Sequence, residues 1–386
     1  MTSSQPRIVF IIYQSENQSN GGVESISQVI TRLVDWERHV ITNRDTDRTR
    51  RWQQAGLATT ILSFHRRYRV LSKWINLLVT NYRTYRYVKS YRIRLVHCND
   101  IQSMLHSGLG AKLAGSRLVF NIRDVKAGDQ SYGAKWQYAR WLADYILVLS
   151  REMQQSIQRR LPVRDSSTIG YQHSMVNFDR FYPRDEAQRA DLRKQLDVPS
   201  DAPVIGMVAA IMPKKQQLSF ITHTLPNLIK ELPSLLVYFI GDFDVARNPY
   251  ARRCQETCQS LGLDQHVRFL GYQPSVEQWY SVFDLTVVAS EREGLARCMI
   301  ESIASGTPVV SFDVCSAHEI LSDHQCGRVV RQGDHAALAQ NIAALLRDED
   351  GRKQLACHGV AASRTLFDAG AIHQAYARTY QNLLSA

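Results

Sequence analysis

Short apolar runs alternate with helical stripes in the first half of the chain. Residues 8–13 predict a buried strand, and the apolar positions between Val23 and Leu33 recur three or four residues apart, as on one face of a helix. Further strands are predicted at 40–42, 60–62, 95–98, 118–122 and 145–149, with helices near 71–90, 101–115, 134–143 and 151–160. This alternation predicts an α/β domain with a parallel sheet covered by helices.

A second series of the same kind begins after a charged, proline-containing stretch. Its strands are predicted at 204–208, 236–240, 267–270, 285–289, 309–312 and 327–330. We therefore expect an N-terminal domain (1–183), a linker (184–202), a C-terminal domain (203–365) and a C-terminal helix (366–386) that could pack back on the N-terminal domain. Because open parallel sheets bind ligands at the carboxyl ends of their strands, two such domains facing each other would hold a ligand in the cleft between them.

Charge is distributed unevenly along the 386 residues, which carry a net charge of +11. Residues 1–183 contain 27 Lys and Arg against 13 Asp and Glu, whereas the remainder contains 20 against 23. Residues 51–99 alone contain ten basic residues, no acidic residue and several aromatic ones. This composition favours a polyanion or an anionic membrane as partner. Nucleic acid is not expected, because no nucleic-acid-binding motif accompanies the basic segment.

The same segment contains the loop 64–69 and a predicted helix with apolar residues on one side. That side comprises Val70, Leu71, Trp74, Leu77 and Leu78, and core packing would explain it as well as membrane contact would. The sequence shows no secretory signal and no apolar run of about 20 residues. The expected location is cytoplasmic, peripheral on the inner face of the inner membrane.

No metal site or cofactor is expected. The seven cysteines lack the paired short spacings of a zinc site or a disulfide framework. Two Asp-x-Asp triplets, at Asp45 and Asp242, lie in contexts that do not favour metal binding.

The stretch 290–301 carries the most informative chemistry. It leaves a predicted buried strand, turns at Gly294 and enters a helix. The N–H groups of Gly294, Leu295 and Ala296 would face a phosphate or a sugar hydroxyl at the start of that helix. Glu293 could accept hydrogen bonds from a sugar, and Glu301 could bind the cis-diol of a ribose.

This stretch resembles the E-x7-E motif of family 4 retaining glycosyltransferases. The residues in register are Glu293, Gly294, Glu301, Ala304, Gly306, Pro308, Val309 and Val310, with Ser302 at a usual alanine. The resemblance implies the GT-B fold, two Rossmann-like domains facing each other across a cleft. It also implies sugar transfer from a nucleoside-diphosphate donor, a UDP-sugar by preference, to a hydroxyl acceptor, with the anomeric configuration retained.

Other segments extend the resemblance over most of the chain. Lys215 matches the family lysine that binds the donor diphosphate, and Gly21 and Gly22 match a glycine loop near the sugar and phosphate. Arg123, Asn99 and Glu24 are the expected acceptor-side residues. The catalytic assignment is therefore Lys215 and Glu293.

Besides Ser302, the chain departs from the family pattern at three places. Ala209 or Ala210 stands at the family's phosphate-binding arginine, Gln216 at its glycine, and Arg123 at its histidine. The missing arginine and histidine would permit a catalytically inactive nucleotide-sugar-binding protein. A nucleotide-sugar epimerase of the same fold is a separate alternative. The acceptor is expected to be a lipid-linked saccharide of bacterial surface polysaccharide or glycolipid synthesis.

Overall fold

Two compact units make up the chain. The computed structural model describes residues 5–14, 21–62, 70–125, 132–161 and 165–385. The N-unit comprises the described residues up to His173 together with those from Gly370 onward, and the C-unit comprises Ser174–Ala369. The predicted basic loop 64–69 lies outside the described residues.

A seven-stranded parallel sheet forms the N-unit in the order β3-β2-β1-β4-β5-β6-β7. The strands are β1 (Arg7–Ile12), β2 (Glu37–Thr42), β3 (Ala58–Ile61), β4 (Leu95–Cys98), β5 (Arg117–Asn121), β6 (Tyr145–Val148) and β7 (Ile169–Tyr171). The helices are α1 (Gly21–Arg32), α2 (Asp47–Gln54), α3 (Val70–Ser90), α4 (Ile101–Leu113), α5 (Ala134–Leu142) and α6 (Arg151–Arg160). Helices on both faces explain why the central strands are continuous apolar runs.

The C-unit has a six-stranded parallel sheet in the order β10-β9-β8-β11-β12-β13. Its strands are β8 (Val204–Val208), β9 (Leu236–Ile240), β10 (Val267–Gly271), β11 (Leu285–Val288), β12 (Val309–Phe312) and β13 (Gly327–Val330). Its helices are α7 (Glu186–Gln195), α8 (Gln217–Ser219), α9 (Leu225–Glu231), α10 (Pro249–Ser260), α11 (Val276–Val282), α12 (Arg297–Ala304), α13 (His335–Arg347) and α14 (Glu349–Leu366). The two predicted α/β series are confirmed.

The division between the units falls after His173, whereas the sequence placed it after residue 183. Residues just beyond His173 pack within the C-unit: Arg180 pairs with Glu277 at 2.6 Å. The predicted linker contains α7, whose Arg193 is buried. The charged composition of this segment resembles a linker, but Asp284 neutralises Arg193 inside the unit.

The C-terminal helix α15 (Ala369–Ser385) packs in the N-unit from Gly370 onward. Its Tyr380 is fully buried, and the hydroxyl lies 2.8 Å from Nδ1 of His97 on β4. The N-unit core is therefore completed by the end of the chain.

Helix α3 does not bury the apolar side that the sequence singled out. Trp74 and Leu78 are each 67% exposed, and Leu77 is half-buried. Core packing therefore does not account for Trp74 and Leu78, and the side chains of Val70 and Leu71 lie outside the described part of the chain. Among the helices that the structure describes, none is long and apolar enough to cross a membrane.

Candidate functional site

The candidate site lies where the strand order of the C-unit reverses. The chain leaves β8 on one side of this switch point and β11 on the other, and these strands are neighbours in the sheet. Open α/β sheets bind ligands beyond the carboxyl ends of such a pair. The loop after β8 carries Lys215 and the loop after β11 carries Glu293, so both predicted catalytic residues lie at this point.

Lys215 and Glu293 form an ion pair between Nζ and Oε1. Glu293 is only 7% exposed. Burial raises the pKa of Glu293, but the charges of Lys215 and Lys214 and the hydrogen bond from Lys215 outweigh burial, so the pKa is lowered overall. The carboxylate is therefore ionised at neutral pH, and a cation and a hydrogen-bond acceptor stand side by side.

Two hydrogen bonds from other segments of the C-unit hold the turn around Glu293. The N–H of Glu291 donates to the carbonyl of Lys214 at 2.9 Å, which ties together the loops after β11 and β8. The hydroxyl of Ser316 donates to the carbonyl of Gly294 at 2.5 Å. These contacts hold the turn in one conformation.

The turn leaves backbone donors available. The sequence placed Gly294, Leu295 and Ala296 at the start of the helix, but α12 begins at Arg297 and Ala296 is its N-cap residue. Within the part of the chain that the structure describes, the N–H groups of these three residues donate no backbone hydrogen bond. Ala296 also has no side chain that could cap the helix. The N–H groups of the turn and the positive end of the helix dipole would together favour the binding of an anion.

Glu301 lies on α12 in a network that the sequence reasoning missed. Its Oε1 accepts two hydrogen bonds from Arg297, at 2.9 Å from Nε and 2.7 Å from Nη2. Its Oε2 lies 3.3 Å from the hydroxyl of the fully buried Tyr280. The i, i+4 spacing of Arg297 and Glu301 could have indicated the ion pair, whereas nothing in the sequence pointed to Tyr280.

Two departures from the family pattern have a local structural explanation. Gln216, at the family glycine, has a φ of 59° in the left-handed region, where glycine is the easier residue. Ser302, at the usual alanine, is fully buried; its hydroxyl donates to the Thr307 carbonyl at 2.8 Å and lies 2.7 Å from Thr286 Oγ1. The backbone geometry and the burial are thus kept with different residues.

The helix after the motif ends where the pattern predicts. Gly306 follows α12 with a φ of 77°, and a Cβ there would lie 3.0 Å from Cβ of Pro183. Both the conformation and the close approach favour glycine.

The N-unit residues predicted from the sequence lie on helix α1 and in the loops after strands β4 and β5. Gly21 and Gly22 are the first residues of α1, and Glu24 on the same helix pairs with Arg48 of α2 at 3.1 Å. Asn99 and Arg123 follow the neighbouring strands β4 and β5.

Other buried polar side chains lie near Asn99 at the carboxyl ends of strands β4 and β5. The Oδ1 atoms of Asn99 and Asn121 are buried and have no hydrogen-bond partner among the residues that the structure describes. Burial, followed by the charge of Arg123, lowers the pKa of His97 to about 3, so the imidazole there is neutral. Sequence reasoning missed His97 and Asn121, because both sit inside predicted apolar strands.

Metal ligands are not assembled in the described part of the chain, which contains no group of three or more His, Cys, Asp or Glu side chains placed to hold an ion. Asp244 of the second Asp-x-Asp triplet instead accepts from the N–H groups of Ala246 and Arg247 in a local turn.

The chain is similar in sequence to known glycosyltransferases. Residues 188–359 match the family model described as glycosyl transferases group 1. The matches support the group 1 glycosyltransferase family. Lys215, Glu293 and Glu301 lie inside the matched range of this glycosyltransferase family, and the N-unit candidates lie outside it.

Two proteins of similar sequence illustrate the relationship. The lipopolysaccharide core biosynthesis glycosyltransferase LpsE of Rhizobium meliloti is 30% identical over 184 residues, 48% of this chain and 51% of LpsE. The putative glycosyltransferase EpsD of Bacillus subtilis is 24% identical over 75% of this chain and 78% of EpsD. The chain thus spans about half the length of LpsE.

A solved structure extends the likeness over the fold. HepE of Anabaena, in complex with UDP and glucose, superposes with a TM-score of 0.82 at 19% identity, covering 96% of this chain and 98% of HepE. The two α/β units therefore have the GT-B type of architecture.

Proposed function

We propose that this protein is a retaining glycosyltransferase that moves a hexose from a nucleoside diphosphate to a hydroxyl acceptor. The observation that carries the proposal is the Lys215–Glu293 pair at the switch point of the C-unit, beside a turn with available N–H groups. HepE, which shares the fold, binds UDP and glucose. UDP-sugars are accordingly the first donors to test.

Lys215 has the central role in the proposed chemistry. In the ligand-free pair its ammonium is neutralised by Glu293. A bound diphosphate would compete for the same ammonium, and charge on that diphosphate grows as the glycosidic bond breaks. Lys215 would then stabilise the leaving group more strongly in the transition state than in the ground state.

Glu293 and Glu301 are assigned to different parts of the donor. Glu293, together with the N–H groups of Gly294, Leu295 and Ala296, would position the sugar. Glu301 would bind the ribose hydroxyls while Arg297 holds its carboxylate. We propose front-side attack by the acceptor, assisted by the leaving phosphate, because no residue is assigned as a covalent nucleophile. No metal or further cofactor is assigned to this step.

The N-unit is assigned to the acceptor. Gly21, Gly22 and Glu24 would approach it from α1, and Asn99 and Arg123 from the ends of β4 and β5. LpsE is named for lipopolysaccharide core biosynthesis. We therefore propose a lipid-linked saccharide acceptor in bacterial surface polysaccharide or glycolipid synthesis, reached by a peripheral enzyme on the inner face of the inner membrane.

A two-step experiment tests the function. A thermal-shift panel of UDP, GDP, ADP and their hexose conjugates should show one nucleotide that stabilises the protein, by about 2.7 kcal/mol at 100 times its dissociation constant. Release of that nucleotide from the matching sugar donor, with product analysis, then tests transfer. Stabilisation without release would favour a binding protein, and a changed sugar without any acceptor would favour an epimerase. No stabilisation by any nucleotide would contradict the proposal.

A further inference from the structure

Between Trp74 and Thr84, helix α3 turns polar side chains toward the rest of the N-unit and large apolar side chains outward, whereas Val88 nearer its end is buried. The side facing the rest of the N-unit carries Thr80 and Thr84, both fully buried, and Asn81, which is 8% exposed. Surface helices of globular proteins show the opposite arrangement, with an apolar stripe toward the core. The inverted pattern requires a separate physical explanation.

The buried side of α3 is held to α4 by hydrogen bonds. Asn81 donates from Nδ2 to the carbonyl of Leu105 at 2.9 Å and accepts at Oδ1 from the N–H of Gly110 at 2.9 Å. Thr84 Oγ1 donates to Ser107 Oγ at 3.2 Å. Each of these buried polar groups has a hydrogen-bond partner, so α3 is attached to the N-unit through its polar side.

Helices α3 and α4 also approach each other very closely. A Cβ at Gly110 would lie 1.9 Å from the backbone oxygen of Asn81. Ser107 and Gly110 are the small residues of α4 that contact α3. Small residues at the contact allow two helix backbones to approach closely enough for such interhelical hydrogen bonds.

The outward side of α3 is a continuous apolar surface of five large side chains. At 100° per residue they fall within an arc of roughly 140°. They are Trp74 (67% exposed), Ile75 (56%), Leu78 (67%), Val79 (39%) and Tyr82 (60%). We call this set the α3 apolar face. Contiguous apolar patches on a protein surface mark interaction sites.

Basic residues adjoin the α3 apolar face. Arg83 and Arg86 are exposed on the next turns of the helix, and no acidic residue occurs between Arg51 and Asn99. A second copy of this chain docked symmetrically on the face would bring like charges together. An anionic lipid surface instead complements the charge, and its headgroup–acyl boundary accommodates Trp and Tyr.

We propose that the α3 apolar face inserts into the headgroup–acyl boundary of an anionic bilayer. The helix lies parallel to the membrane plane, with Trp74 and Leu78 among the acyl chains and Arg83 and Arg86 at the phosphates. Binding then has an apolar component besides the electrostatic attraction expected from the basic segment. The inference stands independently of glycosyl transfer, since it rests on the exposed side of one helix.

The test uses the full-length protein and vesicles of phosphatidylcholine with or without phosphatidylglycerol. Wild type should sediment with the anionic vesicles, and raising the salt concentration should weaken this binding without abolishing it. Replacing Ile75 and Leu78 together by Glu should reduce binding at least about tenfold, because apolar contact is lost and negative charge is added. Ile75→Ala with Leu78→Ala should reduce it less.

Val34→Glu is the matched control, because Val34 is 62% exposed in the same unit but lies outside α3. This variant should bind like wild type. An equal loss in the control and the α3 variant, or wild-type binding to neither kind of vesicle, would overturn the proposal. So would a dimer in solution that the α3 variant dissociates.

Depth-dependent quenching provides an independent readout. Lipids brominated on the acyl chain should quench the fluorescence of vesicle-bound protein, and Trp74→Phe should remove most of that quenching. Trp141, the comparison residue, is 61% exposed on α5. If quenching persists in Trp74→Phe but disappears in Trp141→Phe, another surface inserts and the assignment to α3 is wrong.

Discussion

Neutral amide side chains recur at the carboxyl ends of the N-unit strands, beside the charged Asp100 and Arg123, whereas charged side chains predominate in the loops after the C-unit strands. Amide side chains end or follow four N-unit strands, at Gln14, Asn43, Asn99 and Asn121. In the C-unit, Asp242 and Asp313 come shortly after β9 and β12, and Lys215 and Glu293 lie farther along the loops after β8 and β11. The two units thus share an architecture but differ in the side chains at the carboxyl ends of their strands. A dianionic ligand such as a diphosphate would be complementary in charge to the C-unit, which has a lysine and the start of a helix at its switch point.

The two units are more alike at the opposite ends of their sheets. Asp144 precedes β6 and accepts from the N–H of Leu118 at 2.8 Å, and Asp284 precedes β11 and accepts from the N–H of Val204 at 2.7 Å. The partners differ, because Lys112 and Arg117 at Asp144 are more than 40% exposed, whereas Arg193 at Asp284 is 8% exposed. An aspartate at the equivalent place therefore pairs with exposed cations in the N-unit and with a buried arginine in the C-unit.

The largest effect is expected from Asp284→Asn. Removing its charge leaves the Arg193 guanidinium buried without an opposing charge, so the variant should lose about 3 kcal/mol of stability. Asp144→Asn should lose under about 1 kcal/mol, because its ion-pair partners are solvated. Hydrogen exchange of the whole chain, followed on peptides of β8 and β5, measures the two losses separately. Equal losses would contradict the distinction between the buried and the exposed pair.

Lys215→Ala should have the next largest effect, a fall in turnover of about 100-fold, as when one charge-stabilising group is removed from an active site. The donor Michaelis constant should rise by no more than turnover falls, because the lysine acts mainly on the departing diphosphate. Initial rates over a range of donor concentrations separate the two parameters.

Lys214→Ala is the matched control for this prediction and should be nearly silent. A defect in Lys214→Ala as large as in Lys215→Ala would indicate that Lys214 replaces the arginine missing at Ala209 and Ala210. A change confined to the Michaelis constant in Lys215→Ala would show that Lys215 only binds the donor.

Arg297→Met should have the smallest effect, a loss of about tenfold in affinity for the nucleotide, comparable to the loss of one hydrogen-bonded contact to a charged group. The reason is positional, since two hydrogen bonds from Arg297 hold Oε1 of Glu301. The preference for the ribonucleotide over its 2′-deoxy form should fall in this variant, and Glu301→Ala should abolish it. Glu293→Ala should preserve that preference. Calorimetry with both nucleotides measures these differences.

Arg328→Met provides the control for Arg297→Met, because Arg328 is an exposed arginine of the same unit. It should bind both nucleotides like wild type. Tighter nucleotide binding by Arg297→Met would reverse the interpretation, because Arg297 would then compete with the ribose for Glu301.

The sequence alone determined the α/β alternation, most of the strand positions and the register of the motif from Glu293 to Val310. Those features depend on local periodicity and on turn residues, which are visible along the chain. The positions of Lys215 and Glu293 after strands β8 and β11 were predictable for the same reason. The order of the strands in the sheet makes β8 and β11 neighbours. The fold that the family resemblance implied already contained this order.

The tertiary structure alone decided which side of each helix is covered and which charges meet. Periodicity showed that α3 has apolar residues on one side, but only packing against α4 placed Thr80, Asn81 and Thr84 inside and Trp74 outside. Contact between Tyr280 and Glu301, or between Tyr380 and His97, joins residues from separate elements. No local pattern encodes such pairs, because they arise only when the elements pack around a shared core.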